Sequence, residues 1–447
     1  PASFRITASR PANPKARVSM NHFEYRDGVL CAEGVSVADM ADAIGTPFYC
    51  YSSATLTRHA RVFLDAFKGQ PARLCYSVKA NSNLAVIATL AAQGAGADVV
   101  SEGELRRALA AGIAPAQIVF SGVGKTAAEI TYALEVGIDQ FNVESEPELE
   151  LLATLAAAQN KIAKIAIRVN PDVDAKTHEK IATGKAENKF GISWKLAPAV
   201  YARAAQLPSI AAIGIDVHIG SQLTSLEPFK AAFTRVAGMV EALRAEGHTI
   251  SHIDLGGGLG IPYRGDNDIP PHPDEYAALV KATMGHLGCD LTFEPGRLVV
   301  GNAGILVARV IYVKEGDDRT FLIIDAAMND LIRPTLYEAF HEIKTVAEPK
   351  DEARITYDVV GPVCETGDFM AKGRDLPPVK AGDLIAIMSA GAYGAVQAST
   401  YNTRLLVPEI LVHGDEFAVI RARPDYAEIL KQDKIPAWLQ PDPSRTR

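Results

Sequence analysis

Leu74-Cys75-Tyr76-Ser77-Val78-Lys79-Ala80-Asn81 reads as a short apolar strand that runs out in a lysine, and the strand candidates after it also end in functional side chains. A layout repeated in this way collects one active site at one end of a barrel.

Working outward from Lys79, the region 73–297 offers eight strand candidates: Arg73–Ala80, Gly96–Ser101, Ile118–Gly122, Ile138–Ser145, Lys164–Asn170, Ala211–Gly220, Ile250–Gly258 and Asp290–Arg297. Most are nearly continuous apolar runs, as expected of parallel strands covered on both faces. Between them, Ala-rich stretches such as Leu84–Gln93, Gly103–Ala111, Pro147–Gln159 and Pro228–Glu246 carry apolar residues at helical spacing. The pattern predicts a (β/α)8 barrel over about 51–300, with a doubly wound open sheet as the rival.

Past Arg297 the texture changes to β-rich segments without long helices: Gly304–Lys314, Thr320–Asp325, Ile355–Val363, Asp383–Ser389 and Glu409–Arg421. Gly, Pro and Asp punctuate them, which predicts an antiparallel β-sandwich or barrel over 301–447. Residues 22–50 offer a strand around Val29–Ala32 and a helix from near Ser36 to Gly45, and are expected to join that β domain. Residues 1–21 carry Arg5, Arg10, Lys15 and Arg17 with no acidic side chain before position 20, and read as a basic leader or a cloning remnant without a catalytic role.

The 447 residues are 48% hydrophobic and 22% charged, enough to bury a large core. A net charge of −8 offers no basic field for nucleic acid, and no run approaches the roughly 18 to 20 apolar residues of a membrane-spanning helix. The five cysteines, Cys31, Cys50, Cys75, Cys289 and Cys364, are scattered, odd in number and without CxxC spacing. Neither a disulfide framework nor a metal site is indicated, and a reducing cytoplasm is the expected address.

An amine at a strand end in a partly desolvated pocket can lose its proton and condense with a carbonyl, which gives Lys79 a reading beyond that of an ordinary solvated lysine. Gly256-Gly257-Gly258 follows a strand and exposes backbone N–H groups, either a phosphate cradle or a tight turn. It matches neither the GxGxxG dinucleotide spacing nor a P-loop. Glu294-Pro295-Gly296-Arg297 ends the last strand with a carboxylate able to hold a pyridinium proton and a guanidinium able to grip a carboxylate; a surface ion pair is the alternative. Asp98, Arg168 and His218, at the ends of the second, fifth and sixth strands, add to the same rim.

Tyr76–Asn81, His218-Ile219-Gly220-Ser221-Gln222, Gly256–Gly258, Glu294–Arg297 and Gly361-Pro362-Val363-Cys364-Glu365-Thr366-Gly367-Asp368 together resemble the fold-type III pyridoxal 5'-phosphate (PLP) dependent amino-acid decarboxylases, over about residues 22–425. The resemblance implies that Lys79 carries PLP, that His218 stacks on its ring and that Glu294 faces its pyridine nitrogen. Ser221, the Gly256–Gly258 turn and the backbone of Glu294, Pro295, Gly296 and Arg297 would surround the phosphate, with Tyr393 closing the site. Arg297, Arg333 and Tyr337 would bind a distal substrate carboxylate, Glu365 a distal amine, and Cys364 would return a proton after carbon dioxide leaves. Members work as homodimers with sites shared between subunits, so Cys364 and Glu365 are expected to serve the partner's site.

Within that group, ornithine-specific members usually place Asp after the reactive cysteine, whereas Glu365 stands here, and Arg333-Pro334-Thr335-Leu336-Tyr337 supplies a cation for a carboxylate-bearing tail. Thr366 replaces a commoner serine, a hydroxyl for a hydroxyl. The implied reaction is decarboxylation of meso-2,6-diaminopimelate to L-lysine, the last step of lysine biosynthesis. Ornithine, arginine or carboxynorspermidine decarboxylation on the same scaffold is the alternative, as is a non-catalytic PLP-binding barrel, against which the long β domain argues.

Overall fold

The computed structural model describes residues 3–5, 21–173, 189–263 and 270–439, so most of the stretch expected to be a basic leader or cloning remnant lies outside the described residues. The eight barrel strands are β1 (Ala72–Ser77), β2 (Gly96–Val99), β3 (Ile118–Phe120), β4 (Gln140–Val143), β5 (Ala163–Asn170), β6 (Ile210–Asp216), β7 (His252–Asp254) and β8 (Asp290–Phe293). Each pairs in parallel with the next, and β8 returns to β1 through Phe293 opposite Leu74, so the sheet closes and the open-sheet rival is excluded. Closure is what sends the functional strand ends to one rim.

Alternation inside the barrel is clearer than continuous apolar runs suggest. In β4, Phe141 and Val143 join the apolar core, while Gln140 and Asn142 are buried and hydrogen-bonded to each other at 2.7 Å. Several helices between strands start on side-chain caps that satisfy their first free N–H groups: Ser101 caps Glu102–Ala110, and Ser145 caps Glu146–Ala158. One barrel helix comes out of order. Ser53–Ala66 precedes β1, yet packs between Leu84–Ala91 and Pro273–Met284, filling the outer position that β8 leaves open. Only the one-turn helix Arg297–Val300 follows β8, because the chain there lines the barrel mouth and then departs to the second sheet.

The second sheet is assembled on Gly304–Glu315, which pairs antiparallel with Thr320–Ile324, Leu384–Ile387 and Phe48–Ser52. Phe48–Ser52 separates two cores: Phe48 and Cys50 pack into one, Tyr49 and Tyr51 into the other, which also runs through the barrel. The sheet is mixed, a correction to the purely antiparallel expectation. Phe48–Ser52 lies parallel to Glu409–His413, and Thr320–Ile324 lies parallel to Ile355–Val360. Both pairs are joined by long crossovers, which parallel neighbours require. The candidate Glu409–Arg421 is two strands turned at Gly414, whose φ is 58°. The helix Val37–Ile44 is capped by Ser36 and ends at Gly45.

Candidate active site

Lys79 lies just beyond β1, in the single turn Val78–Ala80, and not in the strand itself. That turn is fixed from both sides: the Tyr76 hydroxyl donates to the Asn81 carbonyl at 2.8 Å, and the Tyr393 N–H donates to the Ala80 carbonyl at 2.8 Å. Tyr393 holds φ at 56°, a conformation non-glycine residues adopt rarely and mostly where function fixes them. Lys79 opens into a cavity of about 400 Å³ at the barrel mouth, lined also by Arg168, His218, Ser221, Glu294, Arg297 and Tyr393. This volume suits a small cofactor with its substrate.

The cavity floor is acidic. Lys79 Nζ lies 2.7 Å from Asp98 Oδ2, which also accepts from the Ser77 hydroxyl at 2.7 Å. Burial disfavours the Lys79 ammonium, but Asp98 and Glu294 outweigh it and hold the amine above its ordinary value. Asp98 is itself buried, yet Lys79 and Ser77 keep it ionised below the usual carboxylate range. Glu294 accepts from Ser121 at 3.1 Å and from Asn142 at 3.2 Å. Burial and the neighbouring carboxylates of Asp254 and Asp98 push Glu294 far up. Oxygens of Asp216, Asp254 and Glu294 gather within 4.8 Å of one another, and burial with Asp216 lifts Asp254 to about 8. Crowded carboxylates of this kind call for protons or cations. Arg168 supplies one cation, donating to Glu144 at 2.8 Å and standing 3.9 Å from Asp216.

The glycine run is a cradle that no side chain could share. Gly256 and Gly258 take φ of 60° and 117°. A Cβ on Gly257 would meet the Glu294 carbonyl at 2.5 Å, and one on Gly258 the Gly220 carbonyl at 2.6 Å. Asp254 secures the turn by accepting from the Gly256 N–H at 3.0 Å. Gly258 and Gly296 line the cavity, and their N–H groups donate to nothing among the described residues. Unpaired donors at such a turn suit an anion. His218 accepts from the Gly257 N–H at 3.2 Å through Nδ1, and burial with Arg168 lowers its imidazole to about 3, so the ring is neutral.

The cavity also has a cationic wall. Arg297 Nη1 donates to the Tyr263 hydroxyl at 2.6 Å, and its guanidinium lies 4.9 Å over the Tyr393 ring. Arg333 lies 4.8 Å over the Tyr263 ring and donates to His341 Nε2 at 2.9 Å. Both guanidiniums are buried, and neither meets a carboxylate among the described residues. An uncompensated buried charge is expensive, so two together mark a place for an anionic ligand.

Residues 53–301 match the family described as pyridoxal-dependent decarboxylase, pyridoxal binding domain. The chain is 51% identical over 416 residues to diaminopimelate decarboxylase of Pseudomonas aeruginosa, covering 93% of this chain and 99% of the relative. It is 49% identical over 420 residues to that of Zymomonas mobilis subsp. mobilis, again covering 93% of this chain and 99% of the relative. This chain belongs to the diaminopimelate decarboxylase family. The crystal structure of the M. jannaschii diaminopimelate decarboxylase in complex with L-lysine matches with a TM-score of 0.90 at 35% identity, over 94% of this chain and 99% of that one. The Helicobacter pylori diaminopimelate decarboxylase complexed with L-lysine matches at 0.85 and 40%, over 88% of this chain and 98% of that one.

The residues present fit the cofactor of the diaminopimelate decarboxylases. The cradle of Gly258 and Gly296 leaves donors free for a phosphate, Asp98 Oδ1 is a buried orphan beside Lys79, and Glu294 sits where a cationic ring nitrogen would relieve its crowding. The structure thus brings together Lys79, Asp98, Arg168, His218, Ser221, Gly256–Gly258, Glu294, Pro295, Gly296, Arg297 and Tyr393, with Arg333 adjoining through Tyr263. Tyr337 closes the short helix that starts at Arg333 and bears on the electrostatics of Arg297. Cys364 and Glu365 are exposed and outside the cavity lining; Glu365 meets Tyr401 at 3.3 Å, and the Cys364 N–H donates to Asn402 at 2.9 Å.

Sequence reasoning gave no role to Ser77, Ser121, Asn142, Asp254, Tyr263 or His341. Ser121 and Asn142 lie at the ends of the third and fourth strands, where the strand-end rule that flagged Asp98 would have found them. Tyr263 and His341 come from loops without periodicity and carried no comparable signal.

Proposed function

We propose that this chain decarboxylates meso-2,6-diaminopimelate to L-lysine and carbon dioxide. The carrying observation is the pairing of the Lys79–Asp98–Glu294 floor with two buried guanidiniums that lack a carboxylate partner among the described residues. Bound PLP, held through Lys79, supplies an electron sink for the pair released as the bond from Cα to the carboxylate breaks. Glu294 keeps a proton at the ring nitrogen, while neutral His218 offers an apolar face for stacking. Arg297, Arg333 and Tyr337 hold the distal carboxylate and leave the scissile one away from charge-assisted contacts. Glu365 takes the distal amine, Cys364 Sγ delivers a proton to the carbon that has lost carbon dioxide, and Tyr393 shuts the cofactor side from water.

Because Cys364 and Glu365 are exposed on their own chain, this reading makes the protein a homodimer whose partner supplies them. A two-fold axis then gives a mixed dimer of Lys79→Ala and Cys364→Ala one site with neither lesion. Exchanged mixtures of the two inactive variants should recover roughly a quarter of wild-type activity; no recovery despite verified exchange would remove the shared site. Substrate choice is tested by following carbon dioxide release from meso-diaminopimelate, ornithine, arginine and lysine. Only the first should turn over efficiently, and comparable release from ornithine would defeat the assignment.

A further inference from the structure

Arg333 lies over the Tyr263 ring and donates to His341, and the two ring nitrogens of that histidine are fully assigned by their partners. Nδ1 lies 2.9 Å from the Met388 carbonyl, which can only accept, so Nδ1 carries the hydrogen. Nε2 lies 2.9 Å from Arg333 Nη1, which can only donate, so Nε2 offers its lone pair. The imidazole is therefore neutral and fixed in one tautomer; burial and Arg333 agree, pulling it down to about 3. The ring is completely buried, packs edge-on against Tyr263 with centroids 5.4 Å apart, and its backbone carbonyl accepts from Arg374 at 2.7 Å. Arg333 thus receives orientation from a rigid group.

What matters is the kind of group. A carboxylate at position 341 would orient the guanidinium equally well but would neutralise it, and the wall would lose its reason to bind an anion. We propose that His341 is a positioning residue for substrate specificity: an uncharged acceptor that fixes Arg333 while leaving its whole positive charge for the substrate's distal carboxylate. This rests on the reading of Arg333 given above and extends it to a residue that touches no substrate. Removing the acceptor frees Arg333 to turn and leaves one of its donors buried without a partner, and a hydrogen bond to a charged group is strong enough that binding should fall about 10-fold or more.

The PLP-loaded protein is titrated with L-lysine, which retains the distal carboxylate, and with cadaverine, which lacks it, for wild type, His341→Phe, His341→Gln and Arg333→Ala. His341→Phe keeps a flat ring in the same space without either nitrogen; His341→Leu replaces it should that variant not fold. Expected is a loss of L-lysine affinity of about 10-fold or more in His341→Phe, less than about 2-fold for cadaverine, and recovery to within about 3-fold of wild type in His341→Gln, whose amide can both donate to Met388 and accept from Arg333. Unchanged L-lysine binding in His341→Phe, equal losses for both ligands, or no recovery in His341→Gln would each overturn the proposal. Arg333→Ala separates the layers. If it leaves the lysine-to-cadaverine ratio at the wild-type value, the distal-carboxylate reading itself fails. If it collapses that ratio while His341→Phe does not, only the role of His341 falls.

Discussion

The floor and the wall of the barrel-mouth cavity use opposite charge in opposite ways. On the floor, Asp98, Asp216, Asp254 and Glu294 crowd together, and their surplus negative charge is balanced by Lys79, Arg168 and shared protons. On the wall, Arg297 and Arg333 are held, among the described residues, by the neutral groups of Tyr263, Ser221 and His341, so their positive charge is unspent. A buried acidic cluster prefers a cationic ring, and a buried basic pair prefers a carboxylate. On the proposed function the contrast divides labour: the acidic strand ends serve the cofactor, and Arg297 with the loops that carry Arg333 and His341 serves substrate choice.

The largest effect expected on the floor comes from Lys79→Ala. Loss of the anchoring amine should lower kcat by roughly 10³-fold or more, and borohydride should no longer fix PLP to the chain at that position. Mass spectrometry of reduced wild type should place the adduct on Lys79; an adduct on another lysine would break the division at its root.

The floor was legible, and so were the two arginines of the wall, whereas the neutral groups that hold those arginines were not, for physical reasons. Parallel strands are apolar in long runs, and a charged residue at the end of such a run, as with Asp98 or Glu294, has little structural excuse. The glycine run announced itself because its positive φ values and close carbonyl approaches admit no other residue. Tyr263 and His341 sit in irregular loops, and some of their partners lie far off in the chain, as Met388 does from His341 and Arg297 from Tyr263. The strand Phe369–Leu376 escaped notice because Lys372, Gly373, Arg374 and Asp375 break its pattern, which an edge strand paired on one side tolerates. The mixed character of the second sheet depends in part on Phe48–Ser52 pairing with Glu409–His413, a strand that follows the whole barrel in the chain, and no local pattern encodes that pairing.

A smaller effect sharpens the electrostatic side of the contrast. Asp254 is raised from 3.8 to about 8 by burial and Asp216, so the folded chain holds a proton there that the unfolded chain releases. Its contribution to stability is complete below about pH 4 and is lost as pH rises through about 8. With the cofactor removed, Asp254→Asn should therefore gain on wild type as pH rises across that window, by up to about 1.4 kcal/mol per pH unit. Thermal unfolding at pH 5 and pH 8 gives the comparison; a difference independent of pH would mean the floor is not short of protons.

Arg333→Ala decides most directly whether floor and wall are separable. Steady-state decarboxylation of meso-diaminopimelate and the absorbance of bound PLP are measured on the same preparation. Removing one charged partner of a hydrogen-bonded pair in a closed site costs about 2 to 5 kcal/mol, so kcat/KM should fall roughly 30-fold or more while the cofactor spectrum and occupancy stay at the wild-type level. An unchanged kcat/KM, or a fall in activity that tracks a fall in PLP occupancy, would contradict the division.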